Sequence, residues 1–416
     1  MTKISTLTPP FPSQLPAVGT TIFSIMSELA CKHHAINLGQ GFPDFPCDPQ
    51  LIEHVHRAMV EHHNQYPPMI GIPELRNAIS EKIAHLYGHH YDPEHEITIT
   101  AGGTQAILTA ILCCVSPGDE VIILEPAYDS YQPAITLAGG ICIPISLKPI
   151  LNPDGPINGY SIPWEEIAQA ISRKTRALIV NTPHNPTGMV WQQADLDRLA
   201  DLIQNTNALI LSDEVYEHMV YDGREHCSIA SHPQLASRAF VVSSFGKTFH
   251  VTGWKIGYVA APPSLSSEFR KIHQFNVFTV NTPMQYGIAR YLQMPAHYLN
   301  LPNFYQAKRD YFRNSIQGTG LKLLPCEGTY FQCADYSGLD IPQRAFSDTD
   351  FCQWLIREIG VAAIPISAFY QNEVDSKVIR FCFAKQDQTL ENAIMRLRTI
   401  EKKDKNATST SIIQHD

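Results

Sequence analysis

The sequence predicts an α/β fold: a large domain with a mainly parallel, seven-stranded sheet covered by helices, and a smaller α+β domain assembled from the two chain ends. Three observations lead there. Seven short Val- and Ile-rich runs alternate with longer helical patterns through the middle of the chain. The runs are almost unbroken in apolar character, as in strands buried on both faces. Past about residue 290 the texture changes to mixed helices and strands.

The candidate strands are Ile97–Thr100, Glu120–Leu124, Cys142–Leu147, Ala177–Val180, Leu209–Leu211, Phe240–Val242 and Ile256–Ala260. Between them lie helical stretches such as Gln105–Val115 and Ala194–Gln204. Strands alternating with helices imply a parallel sheet covered on both sides. Asp195 is expected to start one helix, with Leu196, Leu199, Leu202 and Ile203 on its inner face. Further on, "NFYQAKRDYFRNSI" reads as a long amphipathic helix. "GTYFQCADY", "FCQWLIREIG", "VAAIPIS" and "KVIRFCFAK" supply the strands and helices of the second unit. The expected division is residues 1–50 as an N-terminal segment joining the small domain, 51–295 as the large domain, 296–402 as the small domain and 403–416 as a flexible tail.

Composition narrows the function. The 416 residues are 44% hydrophobic and 17% charged, the balance of a globular chain with a large core. The formal charge of −9 argues against nucleic acid as a partner, because phosphate neutralisation needs a basic face. No apolar run approaches the ~20 residues that span a bilayer. The N-terminus has no apolar stretch after Lys3, so no secretory signal is read there and a cytoplasmic setting is expected. The 10 cysteines are scattered without a CxxC and read as free thiols. The 18 histidines include no HExxH and no zinc spacing, so no metal is expected.

The chemistry gathers at the ends of the predicted strands. Gly246-Lys247-Thr248 resembles the end of a phosphate-binding P-loop, but the position five residues before Gly246 is Val241, inside a strand. Gly102-Gly103 likewise lacks the dinucleotide spacing. Lys247 is better read as a nucleophile that forms an imine with an aldehyde. Burial and a nearby cation would keep such an amine partly neutral, and Lys255 is the expected cation. "TAGGTQAIL" places free backbone N–H groups and a positive helix end at one point, an anion site. "NTPHNPTG" and "LILSDEVYEH" put Asn185, Asp213, Glu214 and Tyr216 at two more strand ends. Each alone also fits a turn, a helix cap or a surface lysine. Together they define a crevice at the carboxyl end of a sheet.

Together with "LGQGFPDF", "TIFSIMSELA", "NQYPPMIGIPELRNAI", "SSFGKTFHVTGWKIGY" and "LPCEGTYF", these segments resemble the fold-type I, pyridoxal-phosphate-dependent aminotransferases of class I and II. The similarity runs over nearly the whole chain, and within the family it is to the kynurenine, glutamine and methionine branch. The resemblance implies pyridoxal 5'-phosphate as cofactor. It implies that Lys247 bonds the cofactor aldehyde and then moves the substrate Cα proton. It implies that Asp213 pairs with the ring nitrogen, that Asn185 and Tyr216 bind the ring oxygen, and that Tyr128 stacks on the ring. Gly103, Thr104, Ser244 and Lys255 match the phosphate cup, where many relatives carry arginine in place of Lys255. A lysine there gives a point charge in place of a bidentate fork. Tyr66 matches a tyrosine that reaches the phosphate in the neighbouring subunit, and Phe278 an aromatic supplied across the dimer to the side-chain pocket. Gly41 matches the loop over the substrate carboxylate, and Arg380 the arginine that binds it.

The function this implies is a ping-pong transaminase working as a homodimer. It would move the amino group of methionine, and of aromatic amino acids, histidine or glutamine, to a 2-oxo acid. Two alternatives stay open: a lyase on the same scaffold that cleaves Cβ–S bonds of cysteine conjugates, and a non-catalytic domain that senses an amino acid.

Overall fold

The computed structural model describes residues 12–153, 157–372 and 374–400, so the tail expected at 403–416 lies outside the described residues. Seven strands build the central sheet: β1 (Ile97–Thr100), β2 (Glu120–Glu125), β3 (Ile141–Ser146), β4 (Thr175–Asn181), β5 (Leu209–Asp213), β6 (Ala239–Ser244) and β7 (Gly257–Ala260). Their order is β1-β7-β6-β5-β4-β2-β3. All seven candidate runs became strands of this sheet, with ends shifted by one or two residues. Four neighbour pairs are parallel, and only β7 runs antiparallel to both of its neighbours. The inner strands are buried along their length, which is why the runs lack polar alternation.

The antiparallel strand positions the site. Gly257 at the start of β7 pairs with Thr100 at the end of β1 and with Ser244 at the end of β6. The turn before β7 therefore lies at the same sheet end as the carboxyl ends of the other strands. The approach is tight: a Cβ on Gly257 would stand 2.8 Å from the Ser243 carbonyl oxygen.

Four helices matter for the site and its support. Helix α1 (Ile22–Lys32) is capped by Thr21, whose side chain accepts from the Ser24 amide. Helix α2 (Pro73–Tyr87) opens on a proline and ends at Gly88, which has φ +70°. Helix α3 (Gly103–Cys114) follows β1 directly. In helix α4 (Gln193–Ile203) the sequence expectation needs correction. The helix begins at Gln193, so Asp195 is its third residue and not its first, reaching back to the Gln192 amide in a capping box. The expected inner residues Leu196, Leu199 and Ile203 are buried, while Leu202 is only half-buried.

A second, four-stranded sheet contains β8 (Lys322–Leu323), β9 (Phe331–Asp335), β10 (Ile364–Pro365) and β11 (Val378–Cys382), in the order β8-β9-β11-β10. The expected amphipathic helix spans Leu301–Ser315 and packs beside it. The N-terminal stretch is tied to this unit: Ile36 and Asn37 pair in parallel with Val361 and Ala362, and the Cys382 amide donates to the Leu38 carbonyl. Strand β11 is buried on both faces, Arg380 included. Alternation alone left open a solvent-facing arginine, and the second packed layer removes that option.

Beneath the sheet end, one buried carboxylate ties the layers together. Glu217 accepts from Lys82 and Tyr87 of α2, each at 2.6 Å, from Ser243 of β6 at 2.5 Å and from Tyr258 of β7 at 3.2 Å. Burial alone would raise this carboxyl, but Lys82 and the hydroxyl donors hold it well below the usual carboxylate range. Adjacent His218 is buried and pushed down to about 3 by desolvation. Because the folded state lowers the Glu217 pKa, its contribution to stability is complete above the unfolded-state value and is lost as pH falls below it. Glu217→Ala is expected to cost about 3–5 kcal/mol in denaturant unfolding, since it strands Lys82 as a buried charge. Lys82→Met in the same background should recover part of that loss.

Candidate active site

At the shared sheet end opens a cavity of about 280 Å³. The ends of β1, β2, β4, β5 and β6 and the turn before β7 contribute to it. After β1, Gly102 and Gly103 start α3, and no side chain caps that helix. Gly102 has φ +81°, a conformation that glycine tolerates, and its Cα faces the Lys255 side chain. A Cβ on Gly103 would meet Val215 at 2.9 Å. The result is a bare helix N-terminus flanked by Lys255, Ser244 and Thr104. Thr104 Oγ1 lies 3.5 Å from the Tyr128 hydroxyl, which follows β2.

Asp213 closes β5 at the cavity floor and is 4% exposed. Its carboxylate accepts from the Tyr131 hydroxyl at 2.6 Å and from the Val215 amide at 3.3 Å. Desolvation raises its pKa to about 6, against the lowering effect of those two donors. A buried acid so raised is stabilised by a cationic partner in the cavity. Asn181, at the end of β4, donates to the Asp213 carbonyl at 2.9 Å and accepts from the Asn185 amide at 2.8 Å. It thereby locks the two turns that carry the sequence-predicted groups. Tyr216, also buried, has its hydroxyl pushed up by desolvation.

Arg380 is 2% exposed. It donates to Asn185 Oδ1 at 2.7 Å and to the Gly39 carbonyl at 3.2 Å. Its guanidinium lies 3.8 Å over the Phe331 ring and 4.9 Å over the Phe369 ring. Its Nε is buried without a partner, and burial lowers its pKa. No carboxylate side chain of the described residues pairs with it. An orphaned, desolvated guanidinium of this kind suits an incoming carboxylate.

Lys247 sits between these groups, in the short helix that follows β6. Its amine donates to the Gly41 carbonyl at 3.1 Å and to the Tyr330 hydroxyl at 3.0 Å. Desolvation drives its pKa down to about 8, with Arg380 and then Lys255 acting in the same direction and Cys382 and Asp213 opposing. Lys255 acts as the expected nearby cation, and Arg380 adds a larger effect in the same direction.

Of the predicted site residues, the structure gathers Gly41, Gly103, Thr104, Tyr128, Asn185, Asp213, Tyr216, Ser244, Lys247, Lys255 and Arg380 around one cavity. Tyr66 and Phe278 stand apart from it. They are 80% and 48% exposed and meet edge to face, with ring centroids 5.3 Å apart. Sequence reasoning missed Tyr131, Asn181, Tyr330 and Phe331. Tyr131 stands three residues after Tyr128 and Tyr330 lies within "LPCEGTYF", but only folding reveals their partners.

Residues 33–397 match the family model described as aminotransferase class I and II. The chain belongs to that family. It is 48% identical to methionine aminotransferase of Escherichia coli over 93% of this chain and 98% of that one. It is 37% identical to human kynurenine–oxoglutarate transaminase 1, over 89% and 93% of the two chains. Among solved structures, Escherichia coli YbdL, reported with a methionine aminotransferase function, superposes with a TM-score of 0.89 at 48% identity, covering 94% of this chain and 100% of that one. N-Succinyldiaminopimelate aminotransferase of Mycobacterium tuberculosis gives 0.88 at 38% identity, over 94% and 100%.

Aminotransferases of this class depend on pyridoxal phosphate, and the cavity fits that group. The uncapped helix end with Lys255 suits a phosphate. The desolvated Asp213 suits a protonated ring nitrogen, and the partly neutral Lys247 suits an aldehyde. Tyr131→Phe should raise the Asp213 pKa further, by about one to two units, because the carboxylate loses a charge-assisted hydrogen bond. The carboxyl infrared band of the cofactor-free protein, followed against pH, reads this out, and an unmoved titration would refute it.

Proposed function

We propose that this aminotransferase takes methionine as a principal amino donor, with aromatic amino acids, histidine or glutamine as further donors, and a 2-oxo acid as acceptor. The observation that carries the reading is the cavity itself: a buried, partnerless Arg380 edge, a depressed Lys247 amine and apolar Phe23 and Phe331 in one space. The 48% identity to a methionine aminotransferase supports the donor. Apolar pockets separate such side chains by only ~1–3 kcal/mol per methylene, so a broad donor range is expected.

In this reading Arg380 binds the α-carboxylate of donor and acceptor alike. Asn185 braces the guanidinium from the side, and the Gly41 segment covers it. When bound, pyridoxal phosphate supplies an electron-withdrawing ring that stabilises negative charge at the substrate Cα. Asp213 keeps the ring nitrogen protonated, Asn185 and Tyr216 hold the ring oxygen, and Tyr128 covers one ring face. Gly103, Thr104, Ser244 and Lys255 hold the phosphate. Lys247 Nζ takes the proton from the substrate Cα and later returns one. With its amine near half-neutral around pH 8, it can both accept and give a proton near neutrality.

The proposal extends to assembly and setting. The enzyme works as a homodimer in which Tyr66 and Phe278 complete the neighbouring subunit's cavity. Their joint exposure away from the cavity of their own chain supports this. The chain divides at about residues 50 and 295 into the two expected units, a reading supported by the pairing of Ile36–Asn37 with Val361–Ala362. A cytoplasmic setting is proposed, and among the described residues no helix is long and apolar enough to cross a membrane.

A panel of amino donors against several 2-oxo acids tests the substrate reading, with methionine expected among the best. No turnover of methionine while other donors react would contradict it. Lys247→Ala should reduce transamination by at least about 10⁴-fold, as loss of a covalent and proton-moving group does. Arg380→Lys should raise KM for donor and acceptor together, by about tenfold or more, since the bidentate contact is lost.

A further inference from the structure

The Lys247 amine does not stand alone at the top of the cavity. It closes a three-membered set of hydrogen bonds with Tyr330 and Gly41. Lys247 Nζ lies 3.0 Å from the Tyr330 hydroxyl and 3.1 Å from the Gly41 carbonyl, and the same hydroxyl lies 2.6 Å from that carbonyl. A phenol has one proton. The short contact to Gly41 takes it, because a carbonyl can only accept. Toward Lys247 the phenol oxygen therefore offers a lone pair, and the lysine must donate to both acceptors. A neutral amine has two N–H donors, and both are used. By tetrahedral geometry its lone pair then lies on the side away from Gly41 and Tyr330.

Tyr330 is held firmly. It is fully buried. Its carbonyl accepts from the Phe383 amide at 3.0 Å, and its ring stands edge to face with Tyr216 and Phe331 at 5.2 and 4.9 Å. The preceding residue, Thr329, has φ +64°, a strained conformation for a β-branched side chain. That conformation is pinned by the Tyr221 hydroxyl on its carbonyl and by its own amide on the Met219 carbonyl. Gly41, for its part, leaves no room: a Cβ there would stand 2.8 Å from the Phe331 ring.

We propose that Tyr330 is a positioning residue for Lys247: with the Gly41 carbonyl it forms a fixed dock that receives the free ε-amine, sets its orientation and favours its protonated form. The dock joins the lysine to the segment expected to cover the substrate carboxylate, so binding there and the resting place of the amine are coupled. Other groups bear on the same amine. Burial opposes the ammonium form, as do Arg380 on β11 and Lys255 before β7, while Cys382, Asp213 and the Tyr216 and Tyr330 ring faces, each 5.6 Å from the amine, favour it. The inference rests on Lys247 being the reactive amine.

The test compares Tyr330→Phe with Tyr305→Phe. Tyr305 is equally buried, its ring lies 5.8 Å from that of Tyr330, and its hydroxyl has no partner. In the cofactor-free full chain, acetylation of Lys247 by acetic anhydride is followed against pH by peptide mass spectrometry. Tyr330→Phe should move the half-labelling pH down by roughly one unit, a tenfold rise in the neutral fraction on the acid side. In the holoenzyme, where the Lys247 amine is free only once substrate is bound, the acid limb of kcat should move the same way, and kcat at its plateau should fall by about 10–100-fold. Tyr305→Phe should match the wild type in both. If Tyr330→Phe moves neither the labelling midpoint nor the pH profile, the dock has no role, whatever happens to stability. Lys247→Ala separates the two levels. Retained turnover in Lys247→Ala would sink the reading beneath the inference, whereas loss there with an unmoved Tyr330→Phe sinks the inference alone.

Discussion

Three charged groups are taken out of water at one end of one sheet, and the rest of the structure follows from the need to hold them there. Asp213 and Arg380 are buried and Lys247 is half-buried, and desolvation is the first cause of the pKa shift in every case. No two of them form a direct ion pair with each other. The acid is satisfied by a phenol and an amide, the amine by a phenol and a carbonyl, and the guanidinium by an amide oxygen, a carbonyl and ring faces. Neutral partners leave the charge of each group uncancelled. A site so arranged is poised for a protonated ring nitrogen at Asp213 and a carboxylate at Arg380, while the partly neutral Lys247 suits an aldehyde.

The topology serves that arrangement. Parallel strands place their carboxyl ends together, and the single antiparallel strand brings the Lys255 turn to the same end. The second sheet then lowers Arg380 and Phe331 onto the cavity from above. Behind the working face, Glu217, next to Tyr216, links helix α2 to β6 and β7 through four donors, one of which, Ser243, adjoins Ser244. The polar network is fully satisfied, so it stiffens the strand ends without adding a stray charge to the cavity.

Much of this was legible in the residues. The seven strands could be read because strands buried on both faces leave an unbroken Val/Ile signature. Lys247, Asp213, Asn185 and Tyr216 could be placed at strand ends from the residues, while their roles came from the order and spacing of whole segments that resemble the family. What escaped was whatever depends on a contact distant in sequence. Asp195 marks the third residue of its helix and not the first, because the capping box starts at Gln192, whose amide side chain gives a weaker signal than Ser or Thr. Tyr131 and Tyr330 gave no sign of their partners, since Asp213 and Gly41 lie 82 and 289 residues away. Arg380 could be placed on a strand, but its burial depends on a layer that alternation does not reveal. The effect of Arg380 on the Lys247 amine escaped for the same reason, since the two are distant along the chain, whereas that of nearby Lys255 could be expected.

The most direct measurement is to reduce the pyridoxal-phosphate-loaded protein with borohydride and map the added mass by peptide sequencing. The account predicts one cofactor per chain, fixed on Lys247 alone. Label on Lys255 or Lys385, or no covalent label at all, would contradict it.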